Sequence, residues 1–120
     1  MEPDFGPDKY AMGLLQAEEG NYQEAAEYLK SASLLMNDNP RVFYNLGLIL
    51  QNLGDFGEAE KVFTQGLGID QNYWDLHNAL MILYLQQELY SKAKFHHEIL
   101  LKQFPNNQNL LELKGRLSSH

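Results

Sequence analysis

From Pro40 onward the chain sets Phe43, Leu46, Leu50 and Leu53 at i, i+3, i+7 and i+10, the spacing of one helix face. Gly54-Asp55 breaks that run, after which Ala59, Val62, Phe63 and Leu67 mark a second helical face. The pattern predicts two helices joined by a tight turn. Asn39 and Pro40 supply an N-cap and a first helical residue for the earlier helix. A shift of 34 residues superimposes the chain on itself, so that segments 6–39, 40–73 and 74–107 align without a gap. Gly20-Asn21-Tyr22-Gln23-Glu24-Ala25 falls on Gly54-Asp55-Phe56-Gly57-Glu58-Ala59, and then on Glu88-Leu89-Tyr90-Ser91-Lys92-Ala93. Met12-Gly13, Leu46-Gly47 and Leu80-Met81 correspond in the same way.

A lone hairpin of helices cannot bury its apolar face, so repeated hairpins must stack. Glycine or alanine at repeat positions 8 and 20 lets the two helices of a hairpin approach closely. Large residues at positions 4, 11 and 24 then fill the space around that contact. Residues 108–117 continue the register as a truncated fourth repeat, with Gly115 at position 8. Leu110, Leu111 and Leu117 are expected to cover the open end, with Glu112, Lys114 and Arg116 in solvent. The alternative is that the chain was cut from a longer array.

A two-helix unit of 34 residues resembles the tetratricopeptide repeat (TPR). The second repeat carries most of the likeness, with Phe43, Leu46, Gly47, Ala59 and Phe63 at signature positions. The first adds Met12, Gly13, Ala25 and Ala32, and the third Leu80, Tyr84, Ala93 and Pro105. Departures are Gln16, Leu29, Leu50 and Gly66, together with Met81, His97 and Leu100 in the third repeat. The resemblance implies an all-α, right-handed α-solenoid: an N-terminal tail at 1–5, repeats at 6–39, 40–73 and 74–107, and a capping helix and tail at 108–120. That makes seven helices.

In the family the first helices of successive repeats line a concave groove that holds an extended peptide or a partner helix. The resemblance places Tyr10 and Leu14 there, with Glu18 beyond; then Arg41, Tyr44, Asn45, Leu48, Gln51 and Asn52; then Asp75, Asn78, Ile82 and Gln86. Asn and Gln amides suit an extended backbone because each both donates and accepts. Some TPR co-chaperones clamp the C-terminal carboxylate of heat-shock chaperones. Their five clamp positions correspond here to Tyr10, Leu14, Asn45, Asp75 and Ala79, of which only Asn45 matches, and Asp75 would repel a carboxylate. The clamp is not expected. The implied function is a non-enzymatic protein-interaction module. The alternative is a structural spacer or assembly domain of a larger, bacterial multidomain protein.

Composition narrows the partner. A formal charge of −7 argues against nucleic acid and anionic membranes. Residues 1–60 hold eleven acids and three bases, residues 61–120 five acids and six bases. That imbalance allows head-to-tail association, although a monomer is the simpler expectation. With no cysteine, thiolate metal sites, disulfides and thiol nucleophiles are excluded. No GxSxG, Walker, HExxH or GxGxxG motif occurs, and Gly66-Leu67-Gly68 lies at a helix end, so no enzyme is expected. Those two glycines should weaken that helix end. His96 and His97, adjacent on a helix, point about 100° apart. His77 and His97, at positions 4 and 24, are expected to face each other as Phe43 and Phe63 do, two flat rings standing in for aromatics. Without a third ligand no metal, and no other cofactor, is expected, and His120 carries no expectation. The acidic start lacks a signal peptide's basic n-region and h-region, so a cytoplasmic location is the default and a periplasmic domain of an exported protein the alternative.

Overall fold

The computed structural model describes residues 5–120. Residues 1–4 of the expected N-terminal tail lie outside the described residues. The described chain is all-α, with seven helices and no strand. It divides into two compact units, Met1–Asn72 and Tyr73–His120. The first contains α1 (Gly6–Glu18), α2 (Tyr22–Leu35), α3 (Pro40–Asn52) and α4 (Phe56–Ile69). In it α1 packs on α2, α2 on α3 and α3 on α4. The second contains α5 (Trp74–Gln86), α6 (Tyr90–Gln103) and α7 (Gln108–Leu117), with α6 packed on both its neighbours.

The tight turns are one device used three times. Each first helix ends in a Schellman motif: Gly20 N–H donates to Ala17 and Asn21 to Gln16, Gly54 to Gln51 and Asp55 to Leu50, Glu88 to Leu85 and Leu89 to Tyr84. The motif needs a left-handed residue, and Gly20 (φ 83°) and Gly54 (φ 79°) adopt it freely. The third turn uses Glu88, at φ 60°, where a side chain costs about 1–2 kcal/mol. Glu88→Gly should therefore raise stability. The net gain, after the glycine's extra freedom in the unfolded chain, is about 0.5–1 kcal/mol by urea denaturation. An unchanged or lowered midpoint would count against the strain.

At the other helix ends Asn39 Oδ1 accepts from Arg41 N and Asn107 Oδ1 from Leu110 N, both at 3.0 Å, so these two asparagines are working N-caps. The alanines at position 20 (Ala25, Ala59 and Ala93) are wholly buried, as is Phe63, and Leu46, Gly47 and Leu50 are buried with them. Gly47 shows why its position must be small: a Cβ built there would lie 2.2 Å from Phe63 Cε1.

Three core assignments differ from the periodicity. Leu53 is 39 % exposed, because it is the residue on which α3 ends rather than part of its face. Leu67 is only half-buried. In α7 the sealing residues are Leu110 and Leu117. Leu111 is 40 % exposed, turned about 100° from Leu110 by helix geometry. Gly115 sits in open space: no second helix follows α7 among the described residues, so no close approach calls for a glycine.

Candidate binding surfaces

In the first unit the expected stripe runs along α1 and α3. Tyr10 and Asn45 are brought together: Asn45 Nδ2 donates to Tyr10 Oη at 2.6 Å and to the Arg41 carbonyl at 3.2 Å. The first bond locks the two side chains across the α1–α3 gap and leaves Asn45 Oδ1 as an acceptor at the surface. Tyr44, Leu48 and Gln51 are half-buried beside it, and Arg41 is exposed. Leu14 is 38 % exposed, more than a core leucine would be. Asn52 is spent locally, its amide donating to the carbonyl of Leu48.

In the second unit Asp75, Asn78 and Ile82 lie on α5 and border a recess of about 520 Å³. Gln86, exposed at the far end of α5, is not part of it. The opposite wall comes from the end of α6 and from α7, with Phe104, Asn109 and Leu113. Trp74 stands at the rim, edge-on to Phe104 with ring centres 6.0 Å apart. The stripe rule finds Asn109 once it is carried into the truncated fourth repeat, where that residue holds position 2 as Asp75 does in the third. Trp74, at position 1, has no such signal.

The buried histidines are arranged differently from the expected pairing. His77 meets His96, not His97: their Nδ1 atoms are 3.0 Å apart, so one ring donates a proton that the other accepts. His97 Nε2–H instead donates to the Leu110 carbonyl at 2.7 Å, fastening α6 to α7. The reason lies at position 8. Gly47 leaves room for the ring of Phe63, whereas the third repeat puts buried Met81 there, and the position-24 ring turns to α7. Trp74 and Tyr84 flank the His77–His96 pair, at 5.8 Å from His77 and from His96 respectively, and Lys92 Nζ lies over the Tyr84 ring, 5.4 Å from its centre. Burial, and secondly the charge of His77, push His96 from 6.5 down to about 4. No group of three or more His, Asp or Glu side chains among the described residues is placed to hold a metal ion. His120 has a role that the sequence concealed: it stacks on Tyr90 with ring centres 3.8 Å apart, while Lys94 Nζ donates to its carbonyl.

A sequence profile of the tetratricopeptide repeat matches residues 16–80 and again 53–117. The chain belongs to the tetratricopeptide-repeat family. No curated protein matches its sequence. Among solved structures, the first TPR domain of Spaghetti (RPAP3), bound to the HSP90 peptide SRMEEVD, is 18 % identical, with TM-score 0.86 over 99 % of this chain and 94 % of that one. The Arabidopsis OM64 TPR domain is 18 % identical, with TM-score 0.84 over 96 % and 95 %. The Yersinia enterocolitica type III secretion chaperone SycD, in complex with a peptide of the translocator YopD, is 21 % identical, with TM-score 0.80 over 98 % and 90 %. At these identities the likeness establishes a shared TPR fold. No helix among the described residues is long and apolar enough to cross a membrane.

Proposed function

We propose that this TPR chain is a non-enzymatic protein-interaction module whose helix faces bind extended peptide: in the first unit the face carrying Tyr10, Tyr44 and Asn45, and in the second, taken by itself, the face carrying Asp75, Asn78 and Ile82. The observation that carries the reading is the Tyr10–Asn45 bond. A 2.6 Å link between two different repeats holds an aromatic ring and an amide in one arrangement before any ligand arrives. Binding then costs less side-chain entropy, the main advantage of a preorganised surface. The peptide complexes of the Spaghetti domain and SycD support the same use of the fold.

The reading excludes one ligand class. At the five chaperone-clamp positions stand Tyr10, Leu14, Asn45, Asp75 and Ala79. Asn45 already spends its amide on Tyr10, Ala79 is buried, and Asp75 carries the wrong charge. The peptide SRMEEVD should therefore give no heat in calorimetric titration at concentrations up to about 1 mM, where an ordinary weak site would already respond. Partners captured from a lysate should be lost on Tyr44→Ala and on Asn45→Ala while circular dichroism shows unchanged helicity. Saturable binding of SRMEEVD, or retained capture by both variants, would overturn the proposal.

A further inference from the structure

We infer that the recess between α5 and α7 anchors a cationic side chain, arginine or lysine, of an extended peptide; this rests on the peptide-binding reading and names the chemistry of one of its surfaces. The volume of about 520 Å³ falls within the roughly 300–1,000 Å³ typical of ligand sites. Much of its lining is apolar, with buried Met81, Leu100 and Leu110 beside exposed Ile82, and suits the methylene stem of a long basic residue. Asp75 is the sole charged residue on the lining, and its carboxylate has no partner among the described residues. Beside it at the rim is Trp74, the ring type that attracts a cation most strongly. Asn78 on α5 and Asn109 on α7 both line the recess, with amides that make no hydrogen bond among the described residues, as pairing with a passing backbone requires.

The distribution of charge in the second unit sharpens the assignment. Residues 73–120 contain four acids and five bases, so an even scatter would put a base on the recess at least as readily as an acid. Instead Lys94, Lys102 and Lys114 border recesses formed by other residues of α6 and α7, and none borders the one beside Asp75. A chain with net charge −7 also favours the approach of a basic partner at a distance. Asp75 gains from its place in the first turn of α5, where the helix end favours negative charge. That role alone would leave the apolar stem site and the aromatic rim without a purpose.

Trp74 is the single tryptophan of the chain and reports on the recess directly. Random linear peptides displayed on phage are selected against the whole protein, and the binders are synthesised and titrated by tryptophan fluorescence. Selected peptides should carry arginine or lysine beside apolar residues and shift the emission of Trp74. Asp75→Asn, checked for unchanged helicity, should weaken them about three- to fivefold. Replacing the basic residue by norleucine should weaken binding to the wild type by a similar factor and remove the effect of Asp75→Asn. Binders that are acidic or lack a cation, or basic binders indifferent to Asp75→Asn, would overturn the assignment. If those binders nevertheless saturate and shift the emission of Trp74, the peptide-binding reading stands and only the cationic anchor falls. A selection yielding no binder overturns both.

Discussion

Gly47→Ala should destabilise the protein by about 1–3 kcal/mol, although alanine is the better helix former. In an open helix position the exchange would gain up to about 1 kcal/mol. Here the added Cβ meets the ring of Phe63 at 2.2, 2.4 and 2.7 Å. That ring is wholly buried and cannot swing aside. Phe63→Ala should cost more, about 3–5 kcal/mol, because it empties the largest wholly buried side chain of the core. The two changes share one space, so they should not add. In the Phe63→Ala background the extra methyl partly fills the void, and Gly47→Ala should become neutral or stabilising. Urea denaturation of the two single variants and the double variant measures this coupling. Additive losses would mean that position 8 is not where the hairpin of α3 and α4 is closed. Gly68→Ala is the control: no atom lies within 4 Å of its would-be Cβ, and stability should rise.

The same contact explains what the sequence reveals and what it hides. The 34-residue period, the glycine or alanine at positions 8 and 20, and the left-handed glycines of the turns are local requirements that the first two repeats carry in full, while the third keeps the period and Ala93 but has Met81 and Glu88 for the glycines. The seven helices could be read from them. Side-chain partners depend on which neighbour yields space, and this changes from repeat to repeat. His97 occupies the position of Phe63, yet Met81 in place of glycine sends its ring to the Leu110 carbonyl, and His77 takes His96 instead. The Tyr10–Asn45 bond joins residues 35 positions apart, and no periodicity encodes it beyond placing both on one face. The recess near Asp75 depends on α7 as well as α5. A stripe read only from complete repeats includes Asp75, Asn78 and Ile82 but not Asn109, Leu113 or Trp74.

The His77–His96 pair should make stability fall with pH in a range where carboxylates are still ionised. The unfolded chain takes up a proton on this imidazole near 6.5, whereas the folded chain resists it down to about 4. Between those values the unfolded state binds more protons, so each step toward acid favours unfolding. The contribution is fully present above pH 6.5, is lost as the pH falls, and changes no further below about 4. At about 1.36 kcal/mol per pH unit the whole loss is roughly 3 kcal/mol. About 2 kcal/mol of that falls between about pH 7.5 and about pH 5, above most carboxylate titration. The geometry supplies the cause. Burial withholds water from a charged ring, and if both imidazoles were protonated, two N–H donors would confront each other across the 3.0 Å that now holds one hydrogen bond. Among the groups around His96, Tyr84 and Phe95 carry no charge to relieve it, and the Lys92 ammonium, 5.4 Å from the centre of the Tyr84 ring, is of the sign that opposes protonation. Replacing His77 and His96 together by phenylalanine removes His96 and the ring that faces it and keeps flat side chains between Trp74 and Tyr84. Urea denaturation at several pH values in this window should show a slope for the wild type and a flat line for the double variant. Parallel curves would place the acid sensitivity elsewhere, and a single His77→Phe change separates the two causes: burial alone leaves most of the slope, whereas repulsion removes its smaller share.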